Sequence, residues 1–428
     1  MADRPELMAI GDSIYNGTRS LTTNGELARI SAPAQVANAF KWKFVTPTYP
    51  FDVLFNLETI VRNNDFSLGH LTSGAAANAQ AWLDRTSWSA VDAFDNISIA
   101  QSTISDQWTL TFEQQYPKIA TLIAKLKTNL SDGDALDTVM DLYTAVNVSF
   151  LLNPQRNAAS PWAKMTPLQI VAARKPKRLL VNLGINDGVW TIALQATGDN
   201  FSSGLLAADM HTLGGHLRDM KAAGQVDQIY LNLLPKPSCI ANLMPRTDPD
   251  KVPGPSGYHD EYLGRLGQLG GLSGDQMADL DDQILRLNQE MQADLIDMFK
   301  ATGGINFVDL YAMLAARDGK HFRDHAPIWV DNEYLSNVPL ESFVHKGGLF
   351  GLDNLHPSTV GYAVLAQTVC AQISAVEGIA VTTPPDFTTA FKNDSLLQHV
   401  PPLLDVVNLL GDMLAAFAGA AGGGAPDV

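Results

Sequence analysis

The chain has 428 residues, 46% apolar and 17% charged, with 33 Gly and 23 Pro. That composition excludes disordered, collagenous and coiled-coil proteins and supplies apolar surface for a large core. Its 29 basic against 45 acidic residues give a net charge of −16, which repels a phosphate backbone. The densest basic run, Arg174 to Arg178, reads as the solvated approach to a strand, so no nucleic-acid partner is expected.

Length alone predicts two to three domains, or one domain carrying long insertions. Met1 to Glu6 is polar and runs straight into an apolar strand at Leu7. With no leader visible, the chain as written reads as cytoplasmic, or as secreted or periplasmic where a leader has been removed. Strands are predicted at residues 7–10, 179–183, 228–234 and 305–310, each bounded by Gly, Pro, Asn or Asp. Between them, residues 205–223 and 277–302 carry apolar side chains at three- and four-residue spacing, the mark of amphipathic helices. Short apolar strands alternating with such helices predict an α/β domain, with a mostly parallel sheet covered on both faces and ligands at the carboxyl ends of its strands.

Two stretches are larger than a connection needs. Residues 80–165 read as mostly helical, with 117–130 and 134–143 as the clearest pieces, and are expected to form a cap. Residues 236–275, crowded with Pro and Gly, are expected to form a long loop or lid. The tail, residues 381–428, is expected to hold an apolar helix over 401–418, packed on the domain or on a second subunit as a homo-oligomer contact, followed by a flexible Gly/Ala end. No apolar run reaches the length of about 18 residues that a membrane span needs, and the two cysteines, Cys239 and Cys370, exclude a disulfide scaffold.

Three short blocks carry the chemistry. Ser13 follows the first strand in Met8-Ala9-Ile10-Gly11-Asp12-Ser13, where a hydroxyl emerges at a strand's carboxyl end. Such a hydroxyl attacks an ester only with a base in hydrogen-bond reach. In Asp353-Asn354-Leu355-His356-Pro357 the three-residue spacing can set a carboxylate beside an imidazole and fix its tautomer. Gly184-Ile185-Asn186-Asp187, directly after the second strand, offers an amide donor to a developing oxyanion. Taken singly, each block also fits a helix cap or a turn.

In this order the blocks resemble those of the GDSL, or SGNH, hydrolases. The family's remaining element, a glycine in an apolar Ser-Gly-Ala setting, is matched by Leu71-Thr72-Ser73-Gly74-Ala75. The resemblance implies a three-layer α/β/α sandwich of flavodoxin-like SGNH type over residues 1–380, with helical insertions. It implies Ser13 as nucleophile, His356 as base and then acid, and Asp353 as its orienting partner. The oxyanion hole would comprise the Ser13 and Gly74 backbone N–H groups and the Asn186 side chain. The expected activity is that of a serine esterase or lipase on a small-molecule or lipid-like ester, with no cofactor or metal. An acyltransferase or thioesterase would use the same residues, and a non-catalytic binding module would keep the fold alone. Ile14 replaces the leucine of the family's name, and the gaps between blocks exceed those of compact members.

Competing signals are weaker. There is no Gly-x-Ser-x-Gly elbow, P-loop, dinucleotide fingerprint or zinc-protease motif. His321, Asp324 and His325 read as a solvated loop rather than as metal ligands, and Asp248 and Asp250 lack the pattern of a calcium loop. Trp82, Trp88, Trp108, Phe112 and Trp162 are expected in core packing in preference to an acyl pocket.

Overall fold

The computed structural model describes residues 4–63, 67–198, 201–246, 256–264, 271–321, 328–330, 333–340 and 347–401. Its centre is four parallel strands, β1 (Leu7–Gly11), β2 (Arg178–Asn182), β3 (Gln228–Asn232) and β4 (Ile305–Val308), adjacent in that order. The register pairs Met8 with Leu179, Leu179 with Ile229 and Tyr230 with Asn306. The helices used below are α1 (Ser13–Asn16), α2 (Ala32–Ala39), α3 (Leu68–Asp84), α4 (Phe112–Leu126), α5 (Asp132–Leu152), α6 (Trp190–Gln195), α7 (Ser203–Ala222), α8 (Gly274–Met298), α9 (Leu310–Ala315) and α10 (Thr359–Glu377).

Alternation along the strands divides the core between the two faces of the sheet. Leu7, Ala9, Leu180, Tyr230 and Val308 pack with Val36 of α2 and with Tyr362 and Val369 of α10. Met8, Ile10, Leu179, Val181, Ile229 and Leu231 pack with Leu213 and Leu217 of α7 and with Ile284 and Leu295 of α8. Each leucine, isoleucine, valine or methionine among them contributes about 1.5–3 kcal/mol when taken from water. Burial on both faces is why these strands are continuously apolar rather than alternating. The predicted α/β class with a parallel sheet therefore stands, and helices do cover both faces.

Residues 95–99 add a fifth, strand-like segment outside β1. Ala9 N–H donates to Asp95 O at 2.8 Å, Ile97 N–H to Ala9 O at 2.9 Å and Ile99 N–H to Gly11 O at 2.8 Å. In chain order the lateral sequence is then second, first, third, fourth, fifth. The chain leaves β1 toward one edge and returns on its other side at β2, so a crevice opens beyond the carboxyl ends of β1 and β2.

The block expected as a cap, residues 80–165, is only partly that. Helices α3, α4 and α5 pack together around Trp82, Trp88 and Phe150, with Trp82 ring centroids 5.5 Å from Trp88 and 5.2 Å from Phe150. The non-helical residues between α3 and α4 supply the sheet's edge segment. Helix α4 starts five residues before the predicted Pro117, because Thr111 and Gln114 close a capping box ahead of it. Pro117 then lies inside the helix.

Residues 236–275 depart from the expected irregular loop. Leu243–Pro245, Glu261–Gly264 and Gly271–Ser273 form a three-stranded antiparallel sheet. Buried Leu243, Tyr262 and Leu272 pack there against Met277 and Leu280 of α8. Residues 247–255 and 265–270, with Asp248 and Asp250, lie outside the described residues, as does nearly all of the expected C-terminal helix and tail, 402–428.

By length and composition alone, helices α5 and α10 are long and apolar enough to cross a membrane. Their most apolar windows have mean hydropathy 1.2 and 1.3 and are 78% and 56% buried within the protein. The basic run before β2 is ion-paired. Arg174 meets Asp95 at 2.6 Å, Lys177 meets Glu6 at 2.6 Å, and Arg178 meets Glu377. Cys239 and Cys370 are both free and buried.

Candidate active site

Strand β1 ends on Gly11, where a Cβ would stand 2.6 Å from the Asn182 carbonyl oxygen. Only glycine allows β1 and β2 to close up at this point. Asp12 then caps α1, its Oδ1 accepting from Ile14 N–H at 2.9 Å. Ser13 is thereby placed as the first helical residue, with its hydroxyl at the crevice.

Asp353 is fully buried and shapes the second block. Its Oδ1 accepts from Leu355 N–H at 3.1 Å and His356 N–H at 2.9 Å, an Asx-type turn in which Asn354 takes the left-handed conformation, φ +56°. Its Oδ2 accepts from Leu21 N–H at 2.7 Å and meets His356 Nδ1 at 2.7 Å. His356 Nε2 lies 2.9 Å from Ser13 Oγ. The sequence-predicted serine, histidine and aspartate, 343 and 340 positions apart, thus form one hydrogen-bonded chain. All three are buried, and the Trp190 ring lies against His356 at 5.2 Å.

Burial opposes ionisation of Asp353, but the facing His356 and the two backbone N–H groups outweigh it and hold the carboxyl below its usual range. A carboxylate there fixes the imidazole with Nε2 toward Ser13 and favours the imidazolium that forms when the serine proton transfers. Asp12 behaves oppositely. Burial pushes it up to about 7, against hydrogen bonds from Ile14 and Asn182 and the charge of His356. Its Oδ1 begins a buried amide chain across the strand ends, Asn182 Nδ2 to Asp12 at 2.8 Å, Asn232 Nδ2 to Asn182 at 2.7 Å and Tyr15 OH to Asn232 at 2.9 Å.

Asn186 lies in a wide turn, Ile185–Val189, that follows Gly184 at φ +100°. Its Nδ2 donates to Ser102 O at 2.9 Å, which leaves a second amide hydrogen. Asp187 accepts from Ile104 N–H, and Ser102 Oγ donates to Gly11 O at 3.0 Å. These bonds stitch the loop after residues 95–99 to the β1 and β2 ends. Ser13, Asn186, His356, Ala100, Gln101 and Thr103 line one cavity of about 260 Å³.

Gly74 does not come to this site. It lies inside α3 on the exposed side, where a Cβ would meet nothing within 4 Å. The run Leu71 to Ala81 is rich in good helix formers and is capped by Ser67, whose side chain accepts from His70 N–H, so the segment winds into a helix instead of ending a strand. Of the two residues lining the cavity with a glycine-like backbone, Leu21 (φ +54°) gives its N–H to Asp353 Oδ2, which leaves Gln101, φ +69°. Its backbone N–H and that of Ser13 have no hydrogen-bond partner among the described residues. Sequence reasoning missed Gln101 because no side-chain type marks a backbone donor.

Arg19 was also missed. Buried behind the triad, it bonds Glu58 at 2.7 and 2.9 Å, Asp394 at 2.9 Å and Thr359 at 3.0 Å. It ties the loop that carries Leu21 to the start of α10. The tryptophans behave as expected for core residues, and Trp82 and Trp88 are absent from the lining of the triad cavity. His321, expected in a solvated loop, is instead buried, with Nδ1 2.5 Å from Asp318 Oδ2 and Nε2 bonded to Tyr262 OH. Asp324 and His325 lie outside the described residues.

Compared with family models, curated proteins and solved structures, the chain matches none.

Proposed function

We propose that the protein is a serine hydrolase of the GDSL/SGNH type that cleaves carboxylic esters through an acyl-enzyme on Ser13. The observation that carries this reading is the chain Ser13 Oγ, His356 Nε2, His356 Nδ1, Asp353 Oδ2, with contacts of 2.9 and 2.7 Å, at the crevice beyond β1 and β2. A buried carboxylate, an oriented imidazole and a hydroxyl in this order are what acyl transfer needs.

Ser13 Oγ attacks the carbonyl carbon while its proton passes to His356 Nε2. The carbonyl oxygen becomes an oxyanion, for which the Ser13 and Gln101 N–H groups and the Asn186 amide are the donors lining the same cavity. Collapse breaks the carbonyl–alkoxy bond, and the His356 imidazolium protonates the departing alcohol. Water then enters and gives its proton to His356 and its hydroxide to the acyl carbon; the bond from that carbon to Ser13 Oγ breaks, His356 returns the proton to Oγ, and the carboxylic acid leaves.

Hydrolysis of p-nitrophenyl esters by the wild type and by folded Ser13→Ala tests the reading. In the variant kcat is expected to fall about 10⁶-fold, the loss typical of deleting such a nucleophile. Full activity in folded Ser13→Ala overturns the site.

A further inference from the structure

Residues 19–22 make a two-residue hairpin behind the triad. Arg19 N–H donates to Thr22 O at 3.0 Å, and Thr22 N–H donates to Arg19 O at 2.9 Å. Both residues between them are left-handed, Ser20 at φ +51° and Leu21 at φ +54°. That is the sign a type I′ turn demands and Asn-Gly ordinarily supplies. In two residues that carry a Cβ this backbone is strained, and such strain persists only where the surroundings over-determine it. Here the surroundings are ionic and buried. Arg19 Nε and Nη2 fork onto the two Glu58 carboxylate oxygens at 2.7 and 2.9 Å, and Nη1 donates to Asp394 Oδ1 and Thr359 Oγ1 at 2.9 and 3.0 Å. Ser20 Oγ donates to Glu58 Oε1 at 3.1 Å and accepts from Leu352 N–H at 3.0 Å, which pins the turn to the residue before Asp353. Asp394 Oδ2 accepts from Thr359 N–H at 2.8 Å, at the start of α10.

What the strained turn delivers is one N–H. Asp353 Oδ1 is held by the N–H groups of its own loop, those of Leu355 and His356. Oδ2, the oxygen that meets His356 Nδ1, has a single backbone donor among the described residues, Leu21 N–H at 2.7 Å. On the reading of Ser13 as an ester-cleaving nucleophile, we infer that Arg19 and Leu21 are positioning residues for the reaction: the buried cluster of Arg19, Glu58 and Asp394 holds the Ser20–Leu21 turn left-handed, and the turn aims Asp353 Oδ2 at His356. The strain is thus offset by the cluster and placed where a carboxylate has to be fixed in direction as well as in position. Asp394 lies beyond residue 380, so the segment after α10 belongs to the framework of the site.

The test is a double-mutant cycle. Arg19→Lys keeps the charge and loses the fork, whereas Leu21→Gly keeps the N–H and takes the left-handed conformation at no steric cost. With p-nitrophenyl acetate, Arg19→Lys in the wild-type background is expected to lower kcat at least about tenfold, toward the roughly hundredfold loss that a misplacement of about 1 Å brings, with KM within about twofold. In the Leu21→Gly background, whatever rate that variant starts from, the same substitution is expected to lower kcat by less than about threefold. An unchanged kcat in folded Arg19→Lys, or the same loss in both backgrounds, overturns the inference and leaves the hydrolase reading intact. Should Arg19→Lys fail to fold, Glu58→Gln takes its place in the cycle with the same expected and overturning results. If no ester is cleaved, the hydrolase reading fails, and proton NMR decides the turn. The far-downfield signal of the His356 Nδ1 proton, identified by its loss in Asp353→Asn, is expected in the wild type, lost in Arg19→Lys and restored in the double variant. Its absence from the wild type, or its persistence in folded Arg19→Lys, overturns the inference.

Discussion

The chain builds the same local unit twice. Asp353 and His356, and Asp318 and His321, are each three residues apart, each buried, each joined Oδ2 to Nδ1, at 2.7 and 2.5 Å. In both pairs the carboxyl is held below its usual range, with burial opposing and the partnered histidine favouring the charge. What differs is the group at Nε2. His356 meets a serine hydroxyl on the wall of a cavity. His321 meets the Tyr262 phenol inside a packed cluster, where Asn337 also donates to Asp318 at 3.1 Å and Lys320 donates to the Ile240 and Leu243 carbonyls at 2.6 and 2.8 Å. Burial pushes the Tyr262 phenol up, far from nucleophilic use, and lowers the imidazole of His321, which keeps that pair structural. An oriented imidazole is thus common to both regions, and access together with an attackable hydroxyl separates them.

The widest break between the regions is expected from paired substitutions. Asp353→Asn removes the group that sets the His356 tautomer and lowers kcat by about 10⁴-fold. Asp318→Asn leaves kcat within about twofold and instead costs about 1–3 kcal/mol of stability, the usual result of leaving buried donors without their acceptor. Steady-state kinetics and urea unfolding on both variants check the contrast. Because each aspartate is depressed in the folded state, its stabilisation is present above the ordinary carboxylate range and is lost as pH falls through the depressed value. Asp318→Asn therefore flattens the acid limb of the unfolding curve.

A smaller effect sharpens the oxyanion assignment. Asn186→Ala is expected to lower kcat by about 10²–10³ with KM little changed, since the second amide hydrogen is used only as charge develops. A change in KM alone would return Asn186 to a purely structural turn. The smallest effect separates Gly74 from Gln101. Gly74→Ala adds a methyl to an exposed helical position with open space around it, so activity is unchanged and stability rises by about 1 kcal/mol. Loss of kcat in that variant would restore Gly74 to the site.

The same contrast explains what was legible in the sequence. Ser13, Asn186, Asp353 and His356 were readable because each sits within a few residues of a strand end or a local turn, so short-range chemistry specifies its placement. The strands and α7 and α8 were readable because apolar spacing reports burial directly. Residues 95–99 were not, although Ile97 and Ile99 alternate: the intervening Asn96 and Ser98 are also buried, with Asn96 Nδ2 donating to the Tyr15 carbonyl at 2.7 Å, so the segment resembles a polar loop. Gln101 was hidden for a related reason, since a non-glycine at φ +69° is held by its surroundings, here the bond from Ala100 N–H to Asn147 Oδ1 at 3.0 Å and the stitching of Ser102. Gly74 misled because a Ser-Gly-Ala string reads the same in a loop and in an Ala-rich helix. The Asp318–His321 cluster depends on Tyr262, Lys320 and Asn337 arriving from distant positions, which no local spacing reveals.

Among the described serines, Ser13 is the one whose hydroxyl meets an oriented imidazole on a cavity wall. Labelling the folded protein with a fluorophosphonate ester and mapping the adduct by mass spectrometry tests it most directly. One phosphonyl group per chain is expected on Ser13, absent in His356→Ala and retained in Asp318→Asn. An unlabelled wild type, or an adduct on any other residue, would contradict it.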